Sequence, residues 1–124
     1  MIDKEMLKDW LAVGEREKHF ERIREYVNGI IKDNALKGKT SFLVSTGYRL
    51  DSPYSKGPGK SDFYDIWNCK GLSRGNRRIV QNKIIDGYRK AGFDIELVYK
   101  DYGYNETFEA LSFVDIDNAV KDKK

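Results

Sequence analysis

The sequence predicts an α+β fold in which two or three helices pack on one face of a small, mainly antiparallel three-stranded sheet, with a long inserted loop. Apolar residues recur with helical spacing in the first 34 residues and again between residues 74 and 91. Strand-like runs occupy residues 40–46, 94–100 and 107–116. Since 124 residues can form one hydrophobic core, we expect residues 1–124 to be a single domain.

The N-terminal helical region has apolar residues on two different faces. Leu7, Trp10 and Leu11 form one stripe, and a second, roughly opposite stripe consists of Phe20, Ile23, Val27, Ile30 and Ile31. Gly14 lies between the stripes and is suited to end a helix. We therefore predict helix 1 over residues 3–13 and helix 2 over 15–34. A single bent helix is the alternative interpretation.

The two-helix interpretation makes residues 1–14 an N-terminal helical arm. Trp10 on this arm would be exposed or swapped between protomers. We expect the arm to be a candidate contact for homo-oligomer formation.

The central part of the chain contains one predicted strand and one long loop. Gly38 makes a turn, and residues 40–46 are rich in β-branched and aromatic side chains. Residues 47–72 contain both prolines and no sustained periodicity, and loops of this length are usually functional or disordered. Aromatic residues in its second half should pack against the domain.

The last part of the chain is predicted as a helix followed by a hairpin. The helix spans residues 74–91 with Gly92 at its end. Alternation of Ile95, Leu97 and Tyr99 predicts a strand over 94–100, and residues 107–116 return as its antiparallel partner. We expect residues 117–124 to be a solvated tail.

Composition indicates an ordinary globular protein of the cytoplasm. Hydrophobic residues make up 40% and charged residues 35% of the chain. The only cysteine, Cys69, has no intramolecular disulfide partner, and the charged start, MIDKEMLKDW, does not resemble a secretory signal. No apolar run is long enough to span a bilayer, so no membrane partner is expected. The net charge of +3 is too small to indicate nucleic-acid binding by itself.

Charge is most polarised around the start of the third predicted helix. No carboxylate occurs between Asp65 and Asp86, whereas five cations do, namely Lys70, Arg74, Arg77, Arg78 and Lys83. Ser73 can cap the helix, and its first backbone N–H groups are free to bind an anion. Arginine side chains match phosphate in a bidentate manner. The sequence therefore predicts an anion site at this helix N-terminus.

The predicted ligand-binding residues come from this helix start and from the preceding loop. The helix supplies Arg74, Gly75, Asn76, Arg77 and Arg78, while Lys60 in the Gly-Pro-Gly turn could reach the same anion. Tyr54 or Trp67 could stack on a base. Solvent screening, or pairing of the arginines with acids such as Asp62 or Asp65, is the alternative that requires no ligand.

A succession of turn motifs resembles small phage-encoded α/β accessory proteins over about residues 20–116. It comprises a helix ending in a Gly-Lys turn, a strand beginning Ser41-Phe42, a helix closing with Lys90-Ala91-Gly92-Phe93, and a final hairpin. The resemblance implies a phage setting in an infected host cell. Some proteins of this kind resemble host-defence inhibitors or sponges for nucleotide signals.

Other chemistry is less favoured by the sequence. His19 lies in a charged helix and is expected to be a surface residue, while Cys69 is expected to be packed. We expect no catalytic residues, no cofactor and no metal site. A nuclease would use Asp62 and Asp65, or the hairpin acids Asp94, Glu96, Asp115 and Asp117. The spacing of Asp94, Glu96 and Lys100 does not match the Glu-x-Lys arrangement of such enzymes.

These observations favour a non-enzymatic phage-type accessory protein, of a counter-defence kind, that binds a nucleotide or another phosphate-bearing small molecule. One alternative is a protein-binding inhibitor of a host factor that uses the 47–72 loop and the tyrosine-rich hairpin VYKDYGYNETF. A second alternative is a single-stranded nucleic-acid binder or a metal-dependent nuclease.

Overall fold

The computed structural model describes residues 1–47, 61–101 and 107–120. Its elements confirm the predicted α+β class. In chain order they are α1 Lys4–Leu36, β1 Phe42–Ser45, α2 Phe63–Trp67, α3 Arg74–Lys90, β2 Asp94–Asp101, β3 Thr107–Val114 and a 3₁₀ helix Ile116–Val120.

Helix α1 is continuous through Gly14, so the predicted break between 3–13 and 15–34 is wrong and the single-helix alternative is right. Asp3 caps its start by accepting a hydrogen bond from the Met6 N–H at 2.8 Å. The helix ends where Gly38 adopts a φ of 75°, as predicted for the turn. Gly14 is tolerated because a glycine inside a helix costs only about 1 kcal/mol. The change of apolar face arises because only the later part of α1 packs on the core.

The three strands form one antiparallel sheet in the order β1-β3-β2. Phe113 of β3 pairs with Phe42 of β1 and with Ile95 of β2. Residues that pair across strands share a face of the sheet, so these three side chains point to the same side. The predicted strands are therefore present, with bounds shifted by a few residues.

The core fills the space between this sheet face and the helices. It contains Ile23 and Val27 of α1, Val80, Ile84 and Tyr88 of α3, and Val44, Ile95, Leu111 and Phe113 of the sheet. Helix α1 lies alongside α3 and runs in the same direction, because Arg16 contacts Asn76 and Asn28 contacts Tyr88. This arrangement brings the middle of α1 next to the start of α3.

Part of the predicted 47–72 loop is regular structure. Residues 61–72 include the short helix α2, whose Phe63 and Trp67 are fully buried, as expected for the aromatic second half. Residues 48–60 lie outside the described part of the chain.

The predicted tail also begins with regular structure. Strand β3 ends at Val114, followed by Asp115 with a φ of 47°. Residues 116–120 then form the 3₁₀ helix, with Ile116 buried. Residues 121–124, like the hairpin turn 102–106, lie outside the described residues.

Candidate anion-binding site

The start of α3 has the cap that the sequence predicts. Ser73 is extended, and its Oγ accepts hydrogen bonds from the backbone N–H of Asn76 at 3.4 Å and from Asn76 Nδ2 at 3.1 Å. The Arg77 N–H makes the first helical bond, to the Ser73 carbonyl at 2.9 Å. The N–H groups of Arg74 and Gly75 precede it, and both residues are exposed. The first turn therefore has two backbone donors, on exposed residues, that lack an intrahelical acceptor at the positive end of the helix dipole.

Three arginines surround this helix start. By helical periodicity Arg74, Arg77 and Arg78 fall within an arc of about 100°. Arg74 and Arg78 are exposed, whereas Arg77 is half-buried. The Nε of Arg77 is buried and has no hydrogen-bond partner. A buried donor without an acceptor is costly, so this end of α3 has unused capacity to bind an acceptor.

Helix α1 adds cations that the sequence reasoning missed. Arg16 Nη1 donates to Asn76 Oδ1 at 2.9 Å, which places its guanidinium beside the first turn of α3. Burial raises the pKa of the Cys69 thiol, and Arg77 and Arg22 both lie near enough for their charges to oppose that rise. We call Arg16, Arg22, Arg74, Arg77 and Arg78 the arginine cluster. Sixty positions separate Arg16 from Asn76, so no local sequence signal could have revealed the contact.

Three acids in the middle of α1 pair with cations outside the arginine cluster. Glu15 lies 3.4 Å from Lys18, Glu17 lies 2.6 Å from Lys83, and Glu21 lies 2.5 Å from Arg24. Among residues 1–47, 61–101 and 107–120, no carboxylate lies within salt-bridge distance of Arg74, Arg77 or Arg78. In the described residues, the alternative in which acids neutralise these arginines therefore has no observed ion pair to support it.

Trp67 does not take the stacking position that we predicted. Its side chain is fully buried, and its indole Nε1 donates to Glu109 Oε2 at 2.6 Å. The α2 helix packs inward because its aromatic residues complete the core, with Phe63 stacked on Tyr26. The ring is therefore not available to a base. The other two predicted loop contacts, Tyr54 and Lys60, lie outside the described residues.

Cys69 and Gln81 are buried residues near the junction of α2 and α3. The Cys69 thiol is fully buried, as expected for a packed cysteine, and burial raises its pKa, opposed by Arg77 and Arg22. A raised pKa keeps the thiol protonated and weakly nucleophilic. Gln81 Nε2 donates to the Trp67 carbonyl at 2.8 Å, which ties α3 to the end of α2.

His19 is buried, so the expectation of a surface histidine is wrong. Only 8% of its surface is exposed, and its Nδ1 is buried without a hydrogen-bond partner. Burial is the main cause that lowers its pKa, and the nearby charge of Arg22 acts in the same direction. The charged sequence around His19 conceals its burial because its position on α1 faces the rest of the domain.

The described residues offer little support for metal chemistry. No group of three or more His, Cys, Asp or Glu side chains in them is placed to hold a metal ion. Asp94 and Glu96 are exposed on β2. Within the same parts of the chain, no helix has both the length and the apolar composition needed to cross a membrane.

The arrangement can therefore offer positive charge, two exposed backbone donors and planar guanidinium groups to an anion.

Comparisons with family models, with curated proteins and with solved structures give no match to this chain.

Proposed function

We propose that the protein binds a phosphate-bearing ligand at the N-terminus of α3 as a non-enzymatic accessory protein. The single observation that carries the proposal is the arginine cluster around a capped helix start, to which no described carboxylate is paired. The phage-type, counter-defence setting is retained from the resemblance over residues 20–116 alone.

The ligand would be held by its phosphate and not by a base stacked on Trp67. Backbone N–H groups at a helix start and arginine forks both suit phosphate oxygens. The buried Trp67 removes one of the two predicted stacking residues. A phosphate or diphosphate group is thus the part of the ligand to which the proposal commits, and a nucleotide is one carrier of that group.

A thermal-shift panel tests this proposal. The full chain would be heated with inorganic phosphate, pyrophosphate, mono-, di- and cyclic nucleotides, and short single-stranded oligonucleotides. A ligand at about 100 times its Kd adds about 2.7 kcal/mol to the free energy of unfolding, which corresponds to a rise in Tm of several degrees. We expect such a rise for at least one phosphate compound.

A pair of double variants makes the test specific to the site. Arg74→Gln with Arg78→Gln removes two exposed charges at the start of α3, and the ligand-induced rise in Tm should be lost. Lys90→Gln with Lys100→Gln removes two exposed charges elsewhere and should leave the rise intact. An equal loss in both double variants would indicate nonspecific attraction to net charge and would contradict the proposal.

The same experiments separate the rival functions. If no phosphate compound shifts the Tm while a host lysate yields one stoichiometric protein partner, the inhibitor alternative replaces ours. This alternative uses the tyrosine-rich hairpin, in which Tyr99 is exposed. Stabilisation by oligonucleotides alone, with a steep dependence on salt, would favour a single-stranded nucleic-acid binder.

A further inference from the structure

The first half of α1 carries an exposed apolar surface. Met6, Leu7, Trp10, Leu11 and Val13, which we call the arm stripe, have between 43% and 62% of their surface exposed. The remaining positions of residues 4–15 are exposed except Ala12. Large apolar side chains grouped on one face in this way mark a surface for association.

The rest of the domain does not cover the arm stripe. Arg16 contacts Asn76, the third residue of α3, so residues 4–13 extend about 15 Å beyond the start of that helix. Trp10 lies about 140° around the helix axis from the core residue Ile23. At about 100° per residue Trp10 also lies in line with Asn28, which contacts Tyr88 of α3. The stripe therefore lies on the side of α1 along which α3 runs, in the part of the helix that extends beyond the start of α3.

Charge indicates which occupant suits the arm stripe. The first 15 residues contain four acids, Asp3, Glu5, Asp9 and Glu15, and only two lysines, Lys4 and Lys8. An interfacial helix on anionic lipid, or a nucleic-acid contact, requires a basic flank. Mixed charges beside an apolar stripe are typical of helices that pair with a copy of themselves.

We propose that two copies of this chain associate through their arm stripes, with the two α1 helices side by side and antiparallel. On the side of the stripe, α1 continues with Glu17, Glu21 and Glu25. Glu17 is bound there to Lys83 of α3, so α3 already lies along that side of α1 and leaves no room for a parallel second helix to continue past residue 15. The antiparallel pair confines the contact to the apolar half of the helix.

Antiparallel pairing brings together one pair of opposite charges on one flank of the stripe, while Asp9 lies near its own copy on the other flank. When Met6 faces the second copy's Val13, Lys4 lies opposite the second copy's Glu15. By helical periodicity both charged residues lie on the flank next to Leu11. Specific interfaces usually exceed about 1,000 Å², and five large apolar side chains from each copy come near that limit. The association is thus weak and depends on concentration.

Sedimentation equilibrium of the full chain from about 1 μM to about 500 μM tests the association. Wild-type protein should shift from monomer to dimer, and Trp10→Glu should remain a monomer with an unchanged Tm, because Trp10 lies outside the core. Leu36→Glu, at the far end of α1 and 77% exposed, should dimerise like wild type. Monomer at all concentrations, or dimerisation of Trp10→Glu equal to wild type, would overturn the proposal.

Cross-linking tests the orientation. Oxidation of a mixture of Met6→Cys and Val13→Cys proteins should give the mixed disulfide dimer faster than either variant alone gives its own. The native Cys69 is fully buried and should not compete. Faster self-coupling of each variant would show parallel helices and overturn the antiparallel arrangement.

Discussion

At the scale of single residues, His19 is the group whose burial has the clearest consequence. It is the only histidine of the chain, and burial together with the charge of Arg22 lowers its pKa below the ordinary value of 6.5. The folded protein therefore takes up this proton less readily than the unfolded chain. The resulting stability is fully present above the unfolded pKa and is lost as the pH falls through the folded pKa.

We predict that the Tm falls between pH 7.5 and pH 5.5, the window around the ordinary histidine pKa. The free energy of unfolding should decrease by at most about 1.4 kcal/mol per pH unit, the limit for one proton. His19→Gln should flatten this dependence, as measured by thermal melts in matched buffers. An unchanged slope in the variant would mean that His19 is not held neutral by the fold.

Other single-residue contacts show why part of the candidate site escapes sequence analysis. The Ser73 cap and the turns at Gly38 and Gly92 depend on neighbouring residues, and they were predicted correctly. Trp67 meets Glu109 across 42 positions, so its burial depends on how α2 docks on the sheet. A tryptophan in a loop has the same local sequence pattern whether its ring stacks on a ligand or is buried in the core.

At the scale of elements, α1 shows how a correct pattern can support a wrong boundary. The two apolar stripes exist, and their phases differ as the sequence indicates. The two stripes do not require a break at Gly14, because a change of face also arises when one continuous helix packs on the core along only part of its length. The hairpin was simpler, since Ile95 and Leu97 alternate and pair locally with β3.

Replacing Gly14 tests whether α1 is continuous. An added Cβ at Gly14 meets no atom within 4 Å. Gly14→Ala should therefore raise the free energy of unfolding by up to about 1 kcal/mol, or raise by the same amount the free energy of local opening measured by amide exchange in residues 4–14. Urea denaturation followed by circular dichroism, with amide exchange over residues 4–14, measures both.

The matched control is Gly92→Ala, which should be destabilising. Gly92 has a φ of 100°, and its Cβ would lie 3.4 Å from the Ala119 Cα. Destabilisation by Gly14→Ala as well would show that Gly14 ends a helix and that α1 is broken there.

At the scale of the whole molecule, the parallel packing of α1 on α3 builds the candidate site. The carboxylate-free stretch before Asp86 was visible in the sequence, but Arg16 and Arg22 join it only in the folded chain. The fold class and the hypothesis of an anion site at the start of α3 could therefore be predicted from local patterns. The full arginine cluster depends on long-range packing, which no local pattern encodes.

The most direct test of the central claim is a two-dimensional NMR titration of the full chain with pyrophosphate, which follows backbone amides and arginine Nε–H signals. We predict saturable shifts of the Arg74, Gly75 and Asn76 amides together with the Arg77 Nε–H. Shifts that are absent at millimolar pyrophosphate, or that spread evenly over surface lysines without saturation, would contradict an anion site at the start of α3.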